Sequence, residues 1–147
     1  MSRMTAIPEG YHSVQPYLIF RSSEAAIMFY TKAFGATEDL CMKGPDGRVH
    51  HASIQIGDSM IMMADESEPM EAYSAEYFNG SPVSLMVYTE DCDRMYRNAL
   101  AAGAESLREP ADQPYGDRMC GVKDPFGYKW HLGTHLRDVP KAELERM

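Results

Sequence analysis

The chain has 147 residues, and its 22 acidic and 14 basic side chains give a formal net charge of −8. This excess of carboxylates argues against a nucleic acid partner, because proteins that bind a phosphate backbone concentrate Lys and Arg on one face. No apolar stretch approaches the roughly 20 residues that a membrane helix needs, and residues 1–11 lack the apolar run of a signal peptide. We therefore expect a cytoplasmic protein with neither a nucleic acid nor a membrane partner.

The first half of the chain predicts the order strand, helix, strand, strand, strand. The predicted strands lie at 13–20, 37–42, 48–56 and 59–64, where β-forming residues are bounded by turn signals. The predicted helix has an N-cap at Ser22 or Ser23, and its apolar face recurs until Gly35. We take this first module to span about residues 11–65.

The second half repeats the same order after an acidic, turn-rich connection at 66–81. Its predicted strands lie at 83–89, 105–108, 118–123 and 128–134. Asp91 caps the predicted helix and Gly103 closes it. Gly103 follows Gly35 by 68 residues and Gly127 follows Gly57 by 70, so corresponding glycines in the two halves have nearly the same spacing. This repeat predicts an internal duplication, with a second module at about 82–135 and a C-terminal tail at 136–147.

Seven short motifs occur in a fixed order along the chain. They are Pro16-Tyr17-Leu18, Phe29-Tyr30 with Ala33-Phe34-Gly35-Ala36, Gly44-Pro45-Asp46-Gly47, Ile56-Gly57-Asp58-Ser59, Ala102-Gly103-Ala104, Gly116-Asp117-Arg118 and Asp124-Pro125-Phe126-Gly127. Together they resemble the vicinal oxygen chelate superfamily, of the glyoxalase, bleomycin-resistance and dioxygenase type, and within it the PhnB-like branch. The resemblance implies an α+β fold in which paired βαβββ modules form curved mixed β-sheets around a cavity. It also implies a small-molecule ligand and a homodimer.

The resemblance places metal ligands at one inward position on the first and last strands of each module. The matching residues here are Gln15, Ile61 or Met62, Ser84 and His131. Only His131 is a strong ligand for a divalent ion, and Gln15 is the second candidate. We therefore expect either a weakly bound divalent ion at His131 and Gln15 or no metal, with Met62 and Ser84 contacting the ligand.

Two histidines are candidate catalytic residues. His50 and His51 are adjacent on a strand, so only one of them faces the cavity, and His51 shares its side with the polar Ser53. His51 is predicted to transfer a proton. The alternative is a structural histidine whose hydrogen bonds are satisfied at the edge of the sheet. His131 faces opposite to Trp130 and is the stronger candidate, the alternative being a core histidine bonded to a carbonyl.

Arg118 and Tyr115 complete the predicted ligand-binding set. An arginine at this strand entry is suited to bidentate contact with a carboxylate or phosphonate, although an internal ion pair between Asp117 and Arg118 is the alternative. Tyr115 is one of several aromatic residues that would wall a pocket.

Two functions remain open at this stage. The first is a lyase or isomerase acting on a small oxygenated substrate, in which His131 with Gln15 orients a water, a weak metal or an enolate oxygen, and His51 moves a proton. The second is non-catalytic sequestration of an aromatic or cationic drug-like ligand, which the acidic charge favours. A ring-cleaving dioxygenase is disfavoured, because the two histidines and one carboxylate that hold its iron are missing from these positions.

Overall fold

The computed structural model describes residues 4–147, which divide between Phe78 and Asn79 into two compact units. The first unit contains β1 (Tyr17–Phe20), α1 (Ser23–Phe34), β2 (Thr37–Lys43), β3 (Val49–Ile56), β4 (Ser59–Asp65) and the short α2 (Ala75–Phe78). The second contains β5 (Ser84–Tyr88), α3 (Cys92–Ala102), β6 (Glu105–Asp112), β7 (Asp117–Lys123), β8 (Lys129–His135) and the short α4 (Lys141–Leu144).

Both units have the same sheet topology. The strand orders are β1-β4-β3-β2 and β5-β8-β7-β6, and in each sheet the first strand is parallel to the last while the other neighbours are antiparallel. The predicted α+β fold of two βαβββ modules, each with a mixed sheet, is confirmed.

Local sequence signals set the ends of α1. The hydroxyl of Ser22 accepts a hydrogen bond from the Ala25 N–H, and Gly35 ends the helix with a φ of 69°, a conformation that favours glycine. The carboxylate of Asp65, at the end of β4, accepts from the N–H groups of Ser23 and Val49 at 2.7 and 3.0 Å. This residue therefore links the start of α1 to the start of β3.

The turn before β8 organises the core of the second unit. Asp124 is 3% exposed, and its carboxylate accepts hydrogen bonds from the backbone N–H groups of Phe126 and Tyr128 and from the indole N–H of Trp130, all at 2.9 Å. Trp130 is 1% exposed and lies on the side of the sheet covered by α3, together with Leu132. Through the Asp124 carboxylate, the motif at 124–127 thus connects the turn to the buried Trp130.

Two strand boundaries differ from the prediction by more than one residue. The strand expected at 13–20 begins only at Tyr17, because Pro16 has no N–H for the ladder and Gln15 lies in the irregular segment before it, where its side-chain oxygen accepts from the His12 N–H at 2.6 Å. Gln15 is therefore not a strand residue. The strand expected at 105–108 instead continues to Asp112, with register shifts that allow it to follow β7 past Arg108.

Candidate functional site

The strand register separates the two faces of the first sheet. Leu18 and Phe20 lie on the face covered by α1, whereas Tyr17 begins a row across the opposite face that continues through Met62 to Ser53. Sequence analysis left the choice between Ile61 and Met62 open. The register selects Met62, since side chains alternate along a strand and Ile61 is buried on the other side.

A pocket of about 630 Å³ lies against this face of the first unit. Residues of three strands line it, together with the turn before β3 and most of the segment 66–72 that follows β4. The strand residues are Tyr17, Ile19, Val49, His50, Ala64 and Asp65. Tyr17 is 49% exposed, so its ring is accessible to a ligand. The connection that sequence analysis described only as acidic therefore forms part of a concave surface.

Tyr17 also pairs with His51, which does not itself line the pocket. The Tyr17 hydroxyl and His51 Nδ1 are 2.9 Å apart, with the two rings tilted by 44° at a centroid distance of 5.5 Å. Burial raises the pKa of the Tyr17 hydroxyl. His50 itself lines the pocket, and its Nε2 lies 3.4 Å from the carboxylate of Asp46, which also lines it. His51 lies on the Tyr17 face of the sheet, and its role in proton transfer remains a prediction.

The pocket lining carries four carboxylates and one guanidinium, those of Asp46, Asp65, Glu66, Glu68 and Arg48. The carboxylate of Glu66 accepts from the backbone N–H and the hydroxyl of Ser74, and these hydrogen bonds lower its pKa. Asp65 likewise accepts from backbone N–H groups. Because these donors are neutral, they satisfy the oxygen atoms without cancelling the negative charge.

In the second unit, His131 lies on the face opposite α3. Its register partners are Met86 on β5 and Gly121 on β7, which place no bulky neighbour beside the imidazole on the β7 side. Within residues 4–147 the imidazole has no hydrogen-bond partner, so the alternative of a core histidine bonded to a carbonyl does not apply. Ser84 is exposed at the start of β5, and Tyr115 lies in the turn before β7.

Arg118 lies on the other side of this sheet and is held by two carboxylates. Its guanidinium contacts both oxygens of Asp93, at 2.7 and 2.9 Å, and Asp112 at 3.0 Å. An internal ion pair was the expected alternative, but the partners are Asp93 and Asp112 rather than Asp117. Because these carboxylates occupy its donors, Arg118 has a structural role and does not belong to the candidate ligand site.

Substitution of Arg118 by Met should lower stability without changing ligand binding. The loss leaves Asp93, in the first turn of α3, without its guanidinium partner, and since both side chains are about one-third exposed we expect a modest decrease in the free energy of unfolding. Chemical denaturation measures this change, and Arg97→Met is the matched control on α3. An equal loss in both variants would contradict the structural role.

The residues at the four metal positions do not form a donor set for a hard divalent ion. Met62 offers a thioether, Ser84 a hydroxyl, and the Gln15 oxygen already accepts from the His12 N–H, which leaves His131 as the one strong ligand. Within residues 4–147, no three His, Cys, Asp or Glu side chains are grouped so as to hold a metal ion. We derive no chemical step through a metal.

Sequence analysis missed a polar cluster at the end of the second sheet. Asp117 accepts hydrogen bonds from the Tyr88 hydroxyl and from His135 Nδ1, at 2.7 and 2.6 Å. The Gly-Asp-Arg motif drew attention to Asp117, but its partners lie on two other strands. The signal in the sequence was a second histidine on β8, four residues after His131 and on the same face.

The fold and the two site regions define a two-module α+β protein with a ligand-sized pocket. The chain matches the model of the Glyoxalase/Bleomycin resistance protein/Dioxygenase superfamily over residues 12–132, and it belongs to that superfamily. None of the helices within residues 4–147 has the length and apolar character needed to span a membrane.

Among related sequences, the uncharacterized protein Rv0887c of Mycobacterium tuberculosis (strain H37Rv) is 35% identical over 136 residues, which is 90% of this chain and 80% of that protein. Among solved structures, TioX from Micromonospora sp. ML1 is 21% identical with a TM-score of 0.67, covering 88% of this chain and 100% of TioX. A Bacillus cereus protein described as a putative 3-demethylubiquinone-9 3-methyltransferase, PhnB protein, is 18% identical with a TM-score of 0.63, covering 84% of this chain and 99% of its own. At these identities the structural likeness concerns the fold.

Proposed function

We propose that the protein binds a small aromatic cation in the pocket of its first unit, without a metal ion. The observation that carries this proposal is the pocket of about 630 Å³, whose lining includes Tyr17, four residues with carboxylates and one arginine. Pockets for small organic ligands commonly measure roughly 300–1,000 Å³. The formal charge of −8 acts in the same direction, because it raises the local concentration of cations.

The Tyr17 ring and the carboxylates act on different parts of such a ligand. An aromatic ring attracts a cation to its face, by about 0.5–2 kcal/mol depending on desolvation. Ile19, Ala64 and Met70 supply apolar surface for the rest of the ligand, and the flexible thioether adapts to its shape. This combination favours a planar, positively charged organic molecule over a phosphorylated or carboxylated one.

A pair of dyes with related ring systems and opposite charge tests the proposal. Fluorescence anisotropy is measured while the protein is titrated into the cationic rhodamine 6G and, separately, into the anionic fluorescein. We expect saturable binding of rhodamine 6G with one dye per chain and no saturable binding of fluorescein. Equal affinity for both dyes would contradict a charge-selective pocket.

A second candidate function, a lyase or isomerase, is favoured by the Tyr17–His51 pair. The hydroxyl orients the imidazole through Nδ1, which leaves Nε2 to move a proton in a small oxygenated substrate. The unpaired His131 is a further candidate for contact with the substrate oxygen. The absence of a carboxylate at the four matched positions is the reason that this candidate ranks second.

If the second candidate is correct, His51→Ala should lower kcat by roughly 10²–10⁴-fold, the usual contribution of a positioned general base. The assay is conversion of the hemithioacetal of methylglyoxal and glutathione. His12→Ala is the matched control, since His12 is an exposed histidine that does not line the pocket. Absence of turnover in the native protein, or an equal decrease in both variants, would exclude a catalytic role for His51 in this reaction.

Three finer assignments are also proposals. The PhnB-like branch is supported by the order of the sequence motifs and by the likeness to the Bacillus cereus PhnB protein. A homodimer in the cytoplasm, with a small molecule rather than nucleic acid or membrane as partner, is supported by the family resemblance and the acidic charge. Light scattering tests the dimer, since one chain has a mass of 16.5 kDa.

A further inference from the structure

A histidine between two carboxylates joins the second sheet to the C-terminal tail. His135 is the last residue of β8, and its Nδ1 lies 2.6 Å from the carboxylate of Asp117 on β7. Its Nε2 lies 2.7 Å from the carboxylate of Asp138 in the tail. Tyr88 on β5 donates a hydrogen bond to the other oxygen of Asp117, at 2.7 Å. Both ring nitrogens of His135 therefore have a carboxylate acceptor.

The two carboxylates differ greatly in their surroundings. Asp117 is 6% exposed and has two side-chain hydrogen bonds, whereas the side chain of Asp138 is fully exposed. A buried carboxylate without its donor is far more costly than an exposed one, because water cannot replace the lost hydrogen bond. When only one of the two hydrogen bonds can form, His135 will therefore keep the contact to Asp117 and lose the contact to Asp138.

The tail is attached to the unit close to this histidine. The backbone N–H groups of Leu136 and Arg137 both donate to the carbonyl of Gly116, at 2.9 and 3.1 Å, and the Arg137 guanidinium donates to the Pro114 carbonyl. Gly116 has a φ of 100°, and a Cβ there would lie 2.3 Å from the Arg137 carbonyl oxygen. Beyond this point, every residue of α4 is exposed.

We propose that His135 and Asp138 form a pH-sensitive clasp, which holds the C-terminal segment 138–147 against the second unit when the imidazole is protonated and releases it when the imidazole is neutral. An imidazolium donates from both nitrogens and can bind both carboxylates at once. A neutral imidazole has one N–H, and Asp117 retains it. The bare Nε2 lone pair then faces the Asp138 carboxylate, which repels it.

The pKa shifts in the cluster have the sign that this clasp requires. The hydrogen bonds to Asp117 and then to Asp138 raise the pKa of His135 above its ordinary value of 6.5, and the same contact to His135 lowers the pKa of Asp117. The hydrogen bond to Asp117 raises the pKa of Tyr88, so this phenol stays neutral while His135 titrates. Arg118, the neighbouring cation, is engaged by Asp93 and Asp112.

The direction of the pH effect follows from the raised pKa. The stabilisation from the clasp is fully present below the unfolded-state pKa of 6.5 and is lost as pH rises through the higher folded-state pKa of His135. We therefore expect the tail to be ordered in mildly acidic solution and to become mobile above neutrality.

Backbone NMR tests the clasp on the intact chain. The {¹H}–¹⁵N heteronuclear NOE of residues 138–147 is measured from about pH 5.5 to about pH 8.5, the range in which a histidine changes its charge, together with the ring resonances of His135. In the native protein the NOE values of the tail should fall with the same midpoint as the titration of His135. In Asp138→Asn they should be low throughout, and the His135 midpoint should move to lower pH.

His50→Gln is the matched control, because His50 also contacts an exposed aspartate four residues away, and it should leave the tail transition unchanged. Asp138 is fully exposed, so its substitution should not prevent folding. A tail whose NOE values do not change as His135 titrates would overturn the proposal. So would an Asp138→Asn variant that retains the native transition.

Discussion

Substitution of Asp124 by Ala should reduce the free energy of unfolding by about 3–5 kcal/mol, because a buried carboxylate is removed while its donors stay buried. The Phe126 and Tyr128 N–H groups and the Trp130 indole all donate to this side chain. An alanine methyl group cannot accept any of these hydrogen bonds. Urea denaturation followed by Trp fluorescence measures the change, since Trp130 is the single tryptophan.

Asp58→Ala provides the control for that loss, because Asp58 lies in the turn before the last strand of the first unit. It is exposed and accepts a hydrogen bond from the Ser59 hydroxyl, so its removal should cost less than about 0.5 kcal/mol. Trp130→Phe, which removes only one of the donors together with some apolar surface, should give an intermediate value, measured by circular dichroism because this variant contains no tryptophan. Similar losses in the two aspartate variants would show that the Asp124 network does not stabilise the second unit as described.

Ala64→Phe should weaken binding of the cationic dye at least tenfold, because the new ring would occupy the pocket itself. Ala64 lies on the sheet wall of the pocket beside Ile19, its register partner on β1. A tenfold loss of affinity corresponds to about 1.4 kcal/mol. This is less than the free energy of the apolar contacts that a dye would lose to the phenyl ring. The measurement is the rhodamine 6G titration.

Ala25→Phe is the control for the pocket substitution. Ala25 is exposed on α1, so a ring there adds the same apolar group outside the pocket and should leave the affinity for the dye unchanged. Ala64 is 8% exposed, so denaturation of Ala64→Phe should show a stability decrease of about 1–3 kcal/mol while the variant still folds. Native affinity in Ala64→Phe would mean that the dye binds elsewhere.

The elements that sequence analysis predicted well are those with local signals. The turn at 44–47 contains a proline and two glycines, and it joins β2 to β3 as expected. Gly35 and Gly103 both adopt positive φ and end α1 and α3, as their positions after apolar helical patterns indicated. Such signals depend on residues that are adjacent in the sequence, so they can be recognised without knowledge of the tertiary contacts.

The candidate site was harder to predict, because its contacts join distant parts of the chain. The Tyr17–His51 pair connects β1 to β3, and no pattern around either residue indicates the other. Arg118 was assigned to a ligand because its acidic partner Asp93 lies on a helix that precedes it by two elements. The polar cluster at His135 was missed for the same reason, as Tyr88 and Asp117 come from other strands.

We propose above that an organic cation binds in this pocket without a metal ion. Its most direct test is the rhodamine 6G titration of the native protein before and after removal of divalent ions with EDTA, with bound metals quantified by elemental analysis and with His131→Ala measured in parallel. We expect saturable binding of one dye per chain, with the same affinity in all three samples. Near-stoichiometric metal that is lost in His131→Ala, together with loss of dye binding after EDTA treatment, would contradict it.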